Sequence, residues 1–383
     1  MEHLASILTW NGLLHGYYMV VPFLFILTIV VFFHELGHFL VARWCGVRVL
    51  AFSIGFGPEL IGFTDRHNTR WRISAVPLGG YVKFAGDENA ASAPDHEALA
   101  AMTEEERRGS FFHKPVGRRA AVVAAGPLSN FVLAILIFAS VFMIFGRQET
   151  APRVDEVLPA SAAEAAGFKP GDLVRSIDGQ AIESFTDMQR VVSGAAGQDL
   201  DFLVERGNAE IHLHAVPVLK EEKDSFGNIH RIGILGVRRS IAAGDIRVER
   251  VGPLAAFEMG FDETWFIVKR TISYIGGVFA GREPADQLRG VLGIAQVSGQ
   301  VATLGFAPLM NLAATLSVSI GLLNLFPIPL LDGGHLLFYA IEAIRGRPLS
   351  ERAQEIGFRI GLAIVLMLMV FATYNDVLRL VAS

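Results

Sequence analysis

The feature that most constrains this chain is an apolar run, Tyr17 to Phe33, that leads without a charged residue into His34-Glu35-Leu36-Gly37-His38. The segment from about Tyr18 to Ala42 is long enough to cross a hydrocarbon layer, which takes about 20 mostly apolar residues in a helix. Lipid offers no water to backbone N–H and C=O groups, so a segment placed there must bond to itself as a helix. His34 and His38 are four apart and therefore share one helix face, where both imidazoles can reach a single ion. Ionisable groups cost free energy inside a membrane, so those found there usually face the protein interior and serve a function. No Lys or Arg precedes Arg43, and no small-residue cleavage site follows the run, so the segment reads as a retained span.

Further uncharged runs follow the same logic. Hydrophobic residues make up 52% of the chain and charged residues 19%, a balance too apolar for an ordinary soluble enzyme. The second run is Ala120 to Gly146. The third lies within Gly290 to Leu331, with its helical part at Leu309 to Phe326, and the fourth is Ile360 to Asn375. The expected fold is a polytopic α-helical membrane protein with four transmembrane helices. A net charge of −5 and the lack of a basic cluster argue against a nucleic-acid partner. The single cysteine, Cys45, excludes an intrachain disulfide framework and reads as a small hydrophobe near a helix end.

Charge placement orients the spans. Arg43, Arg48, Arg66, Arg70, Arg72, Lys83, Arg107, Arg108, Lys114, Arg118 and Arg119 crowd between spans one and two, and Arg345, Arg347 and Arg352 between spans three and four. Both connections are expected in the cytoplasm, with the termini and the long segment between spans two and three on the opposite side. The expected organisation is a first span carrying HELGH at 1–45, a cytoplasmic loop at 46–119 and a second span at 120–146. A small α+β domain at 152–218 follows, then a linker with an amphipathic helix at 219–289. The third span occupies 290–340 and the fourth 357–378. Within the loop, Val47 to Phe56 and Arg70 to Phe84 read as strands of a membrane-associated hairpin or sheet, and Ala90 to Arg108 as a short helix or loop. Pro253 to Ala280 is amphipathic but carries charges, so it reads as an interfacial helix.

The chemistry implied by two histidines beside a glutamate is that of a zinc hydrolase. Zinc takes three protein ligands in a catalytic site and leaves one position open for water, and Glu35 is placed to take a proton from that water. A third ligand should be another ionisable group at membrane depth. From Gly290 onward the first charge is Asp332, behind Pro327 and Pro329 and ahead of Gly333 and Gly334; His335 is the competing donor. A zinc transporter would spread its ligands along a path, and an inactive relative would lose Glu35 or a ligand. Neither pattern is present.

Taken in order, HELGH, Gly80-Tyr81-Val82-Lys83-Phe84, Gly126-Pro127-Leu128-Ser129-Asn130-Phe131 and Asn324 to Gly333 resemble the site-2 proteases, of the bacterial regulator-of-sigma-E protease type. The resemblance covers most of the chain. It implies that His34, His38 and Asp332 bind Zn2+, that Glu35 is the catalytic base, and that Asn324, Pro327 and Pro329 help hold substrate. It also implies that 152–218 is an extracytoplasmic PDZ-like domain. The expected partners are the lipid bilayer and single-span membrane proteins, cut in regulated intramembrane proteolysis at a bacterial inner membrane. An anti-sigma factor or similar regulator would be the substrate. Two departures are visible: there is room for one PDZ-like domain rather than a tandem pair, and Ser319 stands where some members carry an extra asparagine.

Overall fold

The computed structural model describes residues 10–87, 101–223, 229–239, 247–281, 285 and 288–382. The segment expected as a helix or loop from Ala90 lies outside these residues as far as 100. The chain forms two compact units, one of residues up to Val141 together with Ala256–Ala382, the other of Phe142–Ala255.

In the first unit, α1 (Trp10–Trp44) ends where Gly46, at φ 71°, returns its N–H to the Arg43 carbonyl, and Val47 bonds back to Ala42 at 2.8 Å. Left-handed backbone after a last turn is where glycine is favoured. Strands β1 (Val49–Thr64) and β2 (Arg70–Phe84) follow, then α2 (Glu104–Gly109) and α3 (Val116–Phe145). Among the described residues, four helices are long and apolar enough to cross a membrane: Gly16–Trp44, Val116–Phe145, Phe306–Leu325 and Glu351–Arg379.

β1 and β2 pair with each other twice. Residues 49–54 bond on one side to 80–84 (Phe52 opposite Val82, Ile54 opposite Gly80). On the other side they bond to 70–73 (Phe52 opposite Trp71), and 59–64 pair with the far edge of 70–74. Two strands thus make a sheet four ribbons wide, with 80–84 at one edge. Gly55 (φ 86°), Gly57 (φ 87°) and Gly79 (φ 128°) adopt the backbone that the bends require. The sequence pattern ends the first strand at Phe56; here Gly55-Phe56-Gly57-Pro58 is a bend, and the strand resumes as far as Thr64. Fully buried Phe52 stacks on Trp71 with centroids 4.4 Å apart, and Phe39 of α1 meets both rings edge-on. The turn after β1 is tied to the end of α1 through Asp65. Its carboxylate accepts from the His67 and Thr69 N–H groups, the Trp71 indole and Arg43, the last at 2.6 Å. Burial pushes the Asp65 carboxyl up, but these bonds outweigh it and hold it at about 2.

The second unit contains β3 (Arg147–Glu149), β4 (Glu156–Val157), α4 (Ala162–Ala166), β5 (Leu173–Ile177), β6 (Gln180–Ala181), α5 (Phe185–Gly194), β7 (Leu200–Arg206) and β8 (Ala209–Ala215). It continues through β9 (Val218–Lys223), β10 (Ile229–Ile234), β11 (Val237–Arg238) and β12 (Arg247–Glu249). An antiparallel sheet of order β6-β5-β7-β8 buries Val174, Ile177, Phe202 and Val204 against Met188 and Val192 of α5. Leu235 enters the same core, and β11 pairs with β4. This unit therefore reaches beyond the 152–218 of the sequence reading, since β11 returns to pair with β4 from beyond the antiparallel β9–β10 pair.

Longer helices complete the bundle: α6 (Pro253–Phe279), α7 (Val291–Thr303), α8 (Phe306–Leu325) and, after the Phe326 to Leu331 loop, α9 (Asp332–Arg345). The chain closes with α10 (Glu351–Ala382). The uncharged stretch expected to hold one span contains two helices, broken where Gly305 takes φ 114°. Glycines 290 and 293 donate their N–H groups to the buried Asp376 carboxylate of α10, at 3.0 and 2.8 Å. A carboxylate on the free N–H groups of a helix start completes their hydrogen bonding and suits the helix dipole.

Two predictions follow from these ties. Asp376→Ala should cost about 1–3 kcal/mol, since it strands buried N–H donors. The cost should appear as a lower thermal midpoint in detergent, while Thr373→Ala, an exposed hydroxyl bonded within its own helix, should leave the midpoint unchanged. For Asp65 the folded pKa lies below the unfolded value of about 3.9, so its stabilisation is complete above that pH and lost as pH falls through the folded pKa. Asp65→Asn should therefore lower the midpoint by the same amount at pH 6 and pH 8.

Candidate active site and metal centre

The site begins with a close helix crossing. A Cβ at Gly37 would overlap the Ala125 carbonyl, and a Cβ at Gly126 would overlap the His38 ring and crowd His34. Glycine at both positions lets α3 lie directly behind the two imidazoles. Ser129 of α3 donates to the Phe33 carbonyl of α1 at 2.6 Å and fixes the crossing. His38 Nδ1 is 2.9 Å from the Val122 carbonyl, so that nitrogen carries the proton and Nε2 is left as a lone-pair donor.

Asp332 is brought in from the far side. It is the first residue of α9, after a loop in which Ile328 bonds to Phe326 and Leu331 to Ile328. Side chains at Gly333 and Gly334 would collide with the Leu325, Phe326 and Ile328 carbonyls, so the two glycines let the loop fold onto the helix start. Leu330 is held at φ 106°, outside the region favoured by residues with a Cβ.

Three donor atoms then converge. His34 Nε2 lies 3.2 Å from His38 Nε2 and 3.2 Å from Asp332 Oδ2, and His38 Nε2 lies 3.5 Å from the same oxygen. Ligands about 2.0–2.1 Å from zinc in a tetrahedron are separated by about 3.3 Å, so the spacing fits that ion. Asp332 Oδ2 is buried and has no hydrogen-bond partner, the condition of an oxygen meant for a cation. Among the described residues this is the one group of three donors close enough to hold a metal.

The donors open on a cavity of about 340 Å³ that Glu35, Asn324 and His335 also line. Glu35 sits against the sheet edge, where a Cβ on Gly80 would come within 3.1 Å of its Cγ. Gly79, Gly80, Tyr81 and Val82 of that edge form one wall. Of the residues expected to touch substrate, Asn324 faces the cavity, whereas Pro327 and Pro329 are absent from its lining. Pro329 instead packs its carbonyl against Gly361 of α10. His335 stays outside the three-donor group and has its ring 5.5 Å from that of Phe358.

Sequence reasoning did not place Val122, Gly126 or Asn130 beside His34 and His38. Gly126 and Asn130 are four apart on an apolar span, which places both on one face; that was the available signal.

Residues 22–368 match the family model for peptidase family M50. A protein of Rhizobium meliloti (strain 1021) is 54% identical over 360 residues, covering 94% of this chain and 96% of its own. One of Agrobacterium fabrum (strain C58 / ATCC 33970) is 52% identical over 376 residues, covering 98% and 99%. Both carry the name "Putative zinc metalloprotease". The metalloprotease MmpA of Caulobacter vibrioides is 45% identical over 383 aligned positions, covering 94% and 96%. With a metal-fitting donor group among helices apolar enough to span a membrane, the chain belongs to peptidase family M50, the site-2 proteases, and is a membrane zinc metalloprotease.

Proposed function

We propose that His34, His38 and Asp332 hold the zinc, that Glu35 is the general base, and that the enzyme cuts single-span membrane proteins within the bilayer. The observation that carries this reading is the convergence of three donors beside Glu35 on a span, Gly16–Trp44, that is apolar enough to lie in lipid. Zinc, when bound, supplies Lewis acidity for a carbonyl and makes water acidic near neutral pH. Glu35 takes a proton from the attacking water as the C–O bond to the peptide carbonyl carbon forms, and afterwards hands it to the departing amine as the C–N bond breaks. Val31, Val123, Ile320 and Leu331 give the cavity apolar walls beside these groups.

A helical substrate keeps its carbonyls in internal bonds and must be drawn out before it can be cut. The edge ribbon 80–84 lies along the cavity, and among the described residues no strand pairs with its outer side. An unwound segment can add there as a further strand, with main-chain bonds holding it regardless of sequence. Asn324 then contributes a polar side chain toward it, while Pro327 and Pro329 act by shaping the loop before Asp332. The substrate is an anti-sigma factor or similar regulator. The second compact unit is a PDZ-like selector on the outer side of a bacterial inner membrane, and the sheet and zinc lie toward the cytoplasm, in keeping with the Lys and Arg excess of the connecting loops.

Three measurements test this. Glu35→Gln should keep zinc and lower cleavage of a transmembrane peptide by at least about 100-fold, in line with loss of a general base; near-normal turnover by the purified variant removes Glu35 from the mechanism. Asp332→Ala should lose zinc and activity while His335→Ala keeps the metal, and the reverse pattern would make His335 the third ligand. For sidedness, with Cys45 replaced, Asn208→Cys should react with an impermeant thiol reagent in intact spheroplasts and His67→Cys only after lysis. The opposite labelling inverts the orientation.

A further inference from the structure

Asn130 lies in the middle of α3, inside an apolar bundle, and is fully buried. Three contacts hold it in place. Ser317 of α8 donates to its backbone carbonyl at 2.8 Å, Gly321 of α8 packs beside it so closely that a Cβ there would come within 3.1 Å of the Asn130 Cβ, and its side-chain amide lies 3.3 Å from His34 Nδ1. An amide in such surroundings is expensive unless its polar atoms are used.

The His34 tautomer decides how that amide must be used. His34 Nε2 points at the three-donor centre, and to serve as a ligand it must present a lone pair. The ring proton then resides on Nδ1 and needs an acceptor. As placed, the Asn130 NH2 group faces Nδ1 while its carbonyl oxygen is buried without a partner. Two donors facing each other make no bond. A half-turn of the amide exchanges the two atoms and sets the oxygen against the Nδ1 proton. His38 shows the same arrangement already complete, with the Val122 backbone carbonyl as its acceptor. The two imidazoles would then each be fixed from α3, one by main chain and one by side chain.

We infer that Asn130 is a positioning residue for the metal: its amide oxygen accepts the Nδ1–H of His34, and this bond selects the tautomer and ring angle that direct Nε2 to zinc. The inference rests on the reading of His34 as a ligand. Acceptors behind ligating histidines typically change metal affinity by about 10- to 100-fold. A buried asparagine that merely glues one span to another would respond to substitution in a different order, because a neutral apolar side chain of similar size suits such a place better than a carboxylate.

The test measures zinc affinity in the full-length detergent-solubilised protein by competition with a chelating dye. Four variants are compared with the parent chain: Asn130→Leu, Asn130→Asp, Ser317→Ala and His34→Ala. Asn130→Leu removes the acceptor and should weaken zinc binding by about 10- to 100-fold. Asn130→Asp keeps an acceptor and removes the donor, so it should bind zinc as tightly as the parent or more so. Ser317→Ala loses a contact to the Asn130 backbone only and should bind as the parent does. The inference is overturned if Asn130→Leu retains parental affinity, or if Asn130→Asp loses as much as Asn130→Leu. Should Asn130→Leu fail to fold, as judged by the melting of the metal-free protein, the Asn130→Asp arm decides alone. His34→Ala separates the two levels. If it retains zinc, the assignment of His34 as a ligand fails; if it loses zinc while Asn130→Leu does not, only the role given to Asn130 fails.

Discussion

Everything at the site depends on how closely α1 and α3 can approach. Helices in lipid gain no hydrophobic advantage from meeting, so they associate through tight packing and a few polar contacts, and small residues mark the places where backbones touch. Gly37 and Gly126 are such places, and any Cβ there would strike a carbonyl or an imidazole. Because the backbones meet, carbonyls and side chains of α3 lie within hydrogen-bond reach of groups on α1: Val122 for His38, Asn130 for His34, Ser129 for Phe33. α8 repeats the device from another direction, where a Cβ at Gly321 would come within 3.0 Å of the Pro127 carbonyl oxygen. The bundle thereby surrounds polar chemistry with apolar walls.

Much of this was legible in the sequence, for definite reasons. A four-residue spacing of histidines on an apolar run has one geometric meaning, and Asp332 announced itself as the first charge after a long uncharged stretch. Spans are legible because hydrocarbon imposes length and composition together. The doubled pairing of β1 and β2 was not. Gly55, Gly57 and Pro58 are consistent with either an end or a bend, and only the packing of Phe52, Phe39 and Trp71 selects the bend. Second contacts to the ligands were hidden for another reason: a backbone carbonyl such as that of Val122 has no signature in residue type. Pro327 and Pro329 carried a visible signal of irregular backbone, but their distance from the cavity lining depended on how α10 packs.

The smaller unit illustrates a further limit. Its core residues Val174, Phe202 and Val204 alternate along strands and could be read directly. Leu235 and β11 close the same core from beyond the β9–β10 pair, and no local pattern near 152–218 required a strand from so far along the chain. Long-range closure is a property of the packed unit, which periodicity within a window does not encode.

The loop ahead of Asp332 has a consequence for the life of the protein before it is finished. Leu330 sits in strained backbone, and the Pro329 carbonyl rests where only a glycine, Gly361, leaves room for it. Such strain persists only while surrounding structure enforces it. During synthesis the two histidines emerge first, Asp332 follows much later, and Gly361 with the rest of α10 comes last. A nascent chain therefore carries an incomplete donor set for most of its translation, and even after Asp332 is made the loop lacks the helix that backs it. The last helix is thus the part that completes the packing around the loop ahead of Asp332, although it supplies none of the three donors.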